Sequence, residues 1–261
     1  MSEQESTQSV IEMRGISVAA MKDSDVVVTE NVEWTVKVGD FWAVGGLHGS
    51  GKSDFLMMTG GITAPRAGSY FLLGEEMPIF DNERLAHRLR LGLVFDGGQL
   101  FNRLTVAENV ALPLQYHRGE TAAEILKHVT ALLEATELTQ WANSTPSAMS
   151  RNWQRRAGLA RALALQPEIL LLDNPLGGLD WRHTNWWLNF LNQLSTGHPL
   201  LNDKPMTLIV TADNFRPWQG RARQFAFLRE KEFVVLGDRS RLNESTEPLL
   251  KELLSGTAIE V

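Results

Sequence analysis

The stretch GLHGSGKS, residues 46–53, constrains the fold of this chain more than any other segment. It starts at the end of the apolar run FWAVGG and leads into KSDFLMMT, which has no glycine or proline before Gly60. A strand, a glycine-rich turn and a helix are therefore expected in succession. In that setting the spacing G-x-x-x-x-G-K-S has a chemical meaning. Around Gly46, Gly49, Ser50 and Gly51 successive backbone N–H groups can turn inward toward phosphate oxygens, and the helix start adds the positive end of its dipole. Lys52 would reach the β and γ phosphates of a nucleotide, and the Ser53 hydroxyl would bind Mg²⁺. Asp54 suits the first helical turn but would repel a phosphate if it turned toward the loop.

The rest of the chain reads as α/β. The segments VIEMRGISVAA and DVVVTENVEWTVKVGD, rich in Val and Thr, predict an antiparallel sheet ahead of the loop. ILLL at 169–172 and TLIVTA at 207–212 are short continuous apolar runs, the pattern of parallel strands covered on both faces. Thr121 with Glu124 three residues on has the spacing of a capping box, and Ile125, Val129, Leu132 and Leu133 then form one helical stripe. Trp187, Phe190, Leu191 and Leu194 form a second. A mostly helical insert is expected at about 85–160, a surface loop at 195–205, and a short helix after Pro248. A main domain over 1–245 and a helical tail over 246–261 follow from this.

Composition narrows the chemistry. With no cysteine the chain can have no disulfide and no thiolate metal site. The polar, acidic N-terminus lacks the regions of a secretory signal, which points to the cytoplasm. No apolar run approaches the roughly 20 residues that cross a bilayer, so a membrane role would come through a partner. The net charge of −6 argues against a broad nucleic-acid surface. Arg151, Arg155, Arg156 and Arg161 are expected to form a solvated helix face.

The phosphate loop, the apolar strand ending in Asp173 and the following LGGLD together resemble the ATP-binding-cassette (ABC) transporter ATPases, over nearly the whole chain. The resemblance implies the P-loop NTPase ABC-ATPase fold, with a RecA-like core, an antiparallel β subdomain and a helical subdomain, and two copies closing head to tail over two ATP molecules. LGLVFDGGQLFNRLTVAENVALPLQ at 91–115 and the tail EPLLKELLSG are similar to the ATPases of the mammalian-cell-entry (MCE) lipid and solvent-resistance transporters. That similarity implies transmembrane permease subunits as partners, a homodimer or a heterodimer with another ABC ATPase, and a place at the cytoplasmic side of the inner membrane. Asp173 would join Ser53 at Mg²⁺.

The departures from the family pattern fall on the hydrolytic machinery. Asp96 stands where the family's Q-loop has glutamine, and a carboxylate there would still bind Mg²⁺. The signature L-S-G-G-Q falls on Met149, Ser150, Arg151, Asn152 and Trp153, which leaves Ser150 to reach the partner's γ-phosphate but removes both glycines. Asn174 occupies the position of the general-base glutamate, and an amide cannot accept a water's proton near neutral pH. Ala212 occupies the switch-histidine position, with Asp213 beside it. Near position 20, where the family stacks an aromatic ring on adenine, the chain has Ala20, with Trp34 and Trp42 as the nearest candidate rings. Loss of a general base alone typically costs a factor of about 10² to 10⁴. Asp180 keeps the family's D-loop pattern and equally suits a helix cap. An ATP-binding transporter subunit with weak or absent hydrolysis is the expectation. The alternatives are a regulatory or scaffolding pseudo-ATPase and a half-site completed by an active sister subunit.

Overall fold

A computed structural model describes residues 8–77, 84–244 and 247–255; the acidic N-terminus, the start of the tail segment at 245–246 and residues 256–261 lie outside the described residues. In β1 (Ser9–Ala20) and β2 (Asp23–Lys37), buried Val32, Trp34 and Val36 alternate with exposed Glu33, Thr35 and Lys37, as a half-covered strand requires. β3 (Phe41–Gly46) is buried along its whole length and runs into α1 (Lys52–Thr59). β4 (Ala67–Leu72) and β5 (Glu75–Glu76) complete a four-stranded antiparallel sheet of order β2-β1-β4-β5.

Next come α2 (Leu85–Arg88), β6 (Leu91–Val94), α3 (Val106–His117), α4 (Ala122–Ala135) and α5 (Arg151–Leu163). Then follow β7 (Ile169–Leu172), α6 (Trp181–Thr196), β8 (Thr207–Ala212), β9 (Gln224–Arg229), β10 (Glu232–Gly237), α7 (Arg239–Glu244) and α8 (Pro248–Ser255). The second sheet has order β10-β9-β3-β8-β7-β6; its pairs are parallel except for antiparallel β9 and β10. β6 pairs with β7, so the span 85–160 is not helical throughout: Leu91–Val94 belongs to the large sheet.

Successive side chains of β7 serve two cores. Ile169 and Leu171 pack with Trp34, Trp42 and Phe55 between the two sheets, whereas Leu170 and Leu172 face the helices and pack with Leu159, Trp187 and Leu191. Each fully buried Leu or Ile contributes about 1.5–3 kcal/mol, so a continuous apolar strand of this kind is held at the centre. The capping box at Thr121 and Glu124 forms, and a second one at Thr105 and Glu108 starts α3. The segment 195–205 is not a plain surface loop, because Pro199–Leu201 is a 3-10 turn that buries Leu201. The tail helix α8 buries Leu250 and Leu253 in the helical-side core.

The arginines expected to be solvated are not all so. Arg155 and Arg156 are 2% and 3% exposed, and Arg161 donates to the carbonyls of Gly98 and Gln99. They are inside because α5 lies very close to the loop after β6: a Cβ on Gly158 would meet Gly98 Cα at 2.7 Å. Gly158→Ala should therefore destabilise the protein by about 1–3 kcal/mol, although alanine is intrinsically the better helix former. A melting curve reads this as a fall of several degrees; an unchanged midpoint would contradict the close approach.

Candidate functional site

Gly51 joins β3 to α1 with φ of +87°, and a Cβ there would meet Val28 Cβ at 2.8 Å, so no other residue fits this turn without strain. The turn brings Lys52, 7% exposed, back under its own loop. The ammonium donates to the carbonyls of Gly46 at 2.6 Å and Leu47 at 2.8 Å, and it lies 3.0 Å from Asp213 Oδ1. Beside it the Ser50 hydroxyl is buried without a hydrogen-bond partner, and nothing lies within 4 Å of where a Cβ on Gly49 would be. An orphaned hydroxyl and open space around a lysine suit a ligand rich in acceptor oxygens.

Asp173 follows β7, and its Oδ1 accepts hydrogen bonds from Ser53 Oγ at 3.1 Å and Thr211 Oγ1 at 2.9 Å. Burial pushes this carboxyl above the usual carboxylate range, against the hydrogen bonds from Thr211 and Ser53. Ser53 and Asp173 thus present two adjacent oxygens of the kind that would hold Mg²⁺. When bound, that ion supplies charge neutralisation for phosphate oxygens. Asn174 sits at φ of +43°, a backbone region that Asn tolerates better than most residues, and donates its N–H to Thr211 Oγ1 at 2.8 Å. Its side-chain amide donates to Asp213 Oδ2 at 2.9 Å. His48, Lys52, Asp96, Asp173, Asn174 and Asp213 line one depression of about 270 Å³.

Asp54 lines the same depression, with its Oδ1 held by the Met21 N–H at 2.8 Å, which ties α1 to the β1–β2 hairpin. Ala212 is 3% exposed on the face of β8 opposite Thr211, packed in the helical-side core with Phe215. Thr211 and Asp213 are the residues of this segment that reach the site. The alternation of side chains along a strand was the signal for that pair.

Residues 29–177 match the family described as ABC transporter. This chain belongs to the ABC transporter family. It is 29% identical to the intermembrane phospholipid transport system ATP-binding protein MlaF of Escherichia coli strain K12, across 98% of this chain and 92% of that one. It is 35% identical to the methionine import ATP-binding protein MetN of Lacticaseibacillus paracasei, across 73% of this chain and 54% of that protein. Among solved structures, the dimeric post-hydrolysis state of the ATP-binding cassette MJ0796 bound to ADP and Pi superposes with a TM-score of 0.75. It is 27% identical and covers 85% of this chain and 95% of that one. The fold is that of an ABC ATPase cassette.

The remaining ABC motif positions sit as follows. Asp96, expected as a metal ligand, spends both oxygens on guanidinium groups, accepting from Arg151 and from Arg155 at 2.7 Å each. Arg151 of the signature segment thereby turns toward its own chain. Trp153 packs edge-on against His183, with Arg156 4.6 Å above its ring, rather than standing over the segment's surface. Ser150 is exposed at the start of α5 and makes no capping bond with its side chain. Asp180 caps α6, accepting the N–H groups of Arg182 and His183 at 2.9 Å. Trp34 and Trp42 are 3% and 4% exposed in the inter-sheet core, so neither ring is available to stack on a base.

Because burial raises the Asp173 pKa, its carboxyl contributes stability below the unfolded value of about 3.9 that is lost as pH rises through the higher folded one. Asp173→Asn escapes that loss at neutral pH. Its melting temperature should rise, while Mg²⁺-dependent nucleotide binding falls. A variant that melts lower and still binds as tightly would contradict this geometry.

Proposed function

We propose that this chain is the ATP-binding subunit of an ABC transporter of the lipid-transporting kind, and that it binds Mg-ATP but hydrolyses it slowly or not at all. Lys52, Ser53 and Asp173 would hold the triphosphate and the ion, with the N–H groups of residues 49–53 around the phosphates. The observation that carries the reading is the contact of the Asn174 amide with Asp213 at 2.9 Å. At the position from which a base would act, the chain presents an amide donor, and the nearest acid is paired with Lys52. Such a site retains positioning and electrostatic stabilisation, the larger part of phosphoryl-transfer catalysis, while lacking the group that takes the proton.

The name of MlaF, matched over nearly all of both chains, supports a phospholipid cargo. No helix among the described residues is long and apolar enough to cross a membrane, so attachment to the inner membrane would run through permease subunits. A depression of about 320 Å³ between core and helices, lined by Leu91, Leu93, Phe95, Leu112, Pro113 and Tyr116, supports a permease contact there. Tyr116 stands 76% exposed within it. The dimeric state of the cassette MJ0796 supports a dimer here as well, and one closing on two nucleotides would place Ser150 of one copy against the other's phosphates. The pairing of Arg151 with Asp96 favours a second reading, in which this chain's signature is withdrawn and an active sister subunit completes the pair.

Calorimetry with Mg-ATP should give micromolar binding that Lys52→Ala abolishes, and steady-state turnover should lie well below about 1 s⁻¹, the low end of ordinary enzymes. Restoring an acid with Asn174→Glu while neutralising its neighbour with Asp213→Asn should raise turnover by at least about ten-fold. Wild-type hydrolysis at ordinary rates, lost in Lys52→Ala, would overturn the weak-hydrolysis half of the proposal. Absence of binding would overturn the whole.

A further inference from the structure

A lysine ammonium has three N–H donors, and all three of Lys52 are directed within the chain, to Gly46 O, Leu47 O and Asp213 Oδ1. A lysine at this position of the loop serves the β and γ phosphates of a nucleotide. One of its donors is thus already on an anion. The same carboxylate accepts from the Asn174 amide through its other oxygen, so Asp213 bridges the lysine and the residue after the metal-binding aspartate. The other acids of the depression are engaged elsewhere: Asp54 with the Met21 N–H, Asp96 with Arg151 and Arg155, and Asp173 with Ser53 and Thr211.

We infer that Asp213 occupies the seat of the terminal phosphate and sets the nucleotide selectivity of the site, opposing triphosphate binding more than diphosphate binding. The inference rests on the nucleotide reading above. A diphosphate can use the loop N–H groups and share Lys52 with the carboxylate. A triphosphate brings a further multiply charged group to the side of Lys52 that Asp213 holds, and like charges at contact distance oppose each other strongly in a half-buried site. The asymmetry of exposure decides which partner yields. The Lys52 side chain is 8% exposed and fixed by two carbonyls, whereas that of Asp213 is 50% exposed and can swing into water. Binding of a triphosphate therefore exchanges one anion for another on Lys52, and the loss of the Asp213 contacts is subtracted from its affinity.

Titration calorimetry on the full chain with Mg-ATP and Mg-ADP, for wild type, Asp213→Asn and Asp213→Ala, tests this. Asp213→Asn keeps the size and the contact with Asn174 but removes the charge; Asp213→Ala empties the seat. Both should tighten ATP binding by up to about five-fold, the upper end for one partly screened ion pair, and change ADP binding by less than about two-fold. Equal gains for both nucleotides, or no gain for ATP, would overturn the inference and leave the nucleotide reading standing. If folded wild type and variants bind neither nucleotide, the nucleotide reading falls and this inference with it.

Discussion

Backbone pairing of three parallel strands brings the whole site together. β7, β8 and β3 lie side by side with Leu172 opposite Val210 and Gly45 opposite Ala212, so their carboxyl ends finish at one level. Ligands of open α/β sheets bind at that edge. Residues more than a hundred positions apart, Ser53 and Asp173, meet there at 3.1 Å, and Thr211 supports both Asp173 and the backbone of Asn174. The strands are buried throughout, so the positions of these polar groups follow from burial of the apolar residues behind them rather than from their own attraction.

Around that edge, two of the departures from the ABC pattern are paired with polar partners. Asp96, in place of the Q-loop glutamine, is matched by Arg151 in the signature segment and by buried Arg155. Asn174, in place of the base, is matched by Asp213, which in turn neutralises Lys52. In these two pairings each altered side chain meets a polar partner, so neither is left as an uncompensated buried group.

Much of the fold was legible in the sequence because its signals were local. The strand–loop–helix around Lys52, the buried runs 169–172 and 207–212, and the stripes of α4 and α6 each follow from period and punctuation within a few residues. β6 was not legible: LGLV is four residues long, carries a glycine and becomes a strand only through β7. The burial of Arg155 and Arg156 escaped for the same reason, since it depends on Gly98 and Gly158 approaching from distant segments. Thr211 and Asp213 were within reach through strand alternation, but the family's histidine drew attention to Ala212, whose side chain lies on the other face. The arginine partners of Asp96 were not legible either, because they lie on α5, more than fifty positions away in the chain.

The most direct measurement of the central claim is the chemical state of the nucleotide that the protein retains. Purified protein is loaded with Mg-ATP labelled in the γ-phosphate, freed of excess nucleotide, and sampled over an hour by chromatography of the bound fraction. Retention of intact ATP, with little released phosphate, is the predicted result. Conversion of the bound label to free phosphate within seconds would contradict it, because a group able to take the proton would then exist in this site.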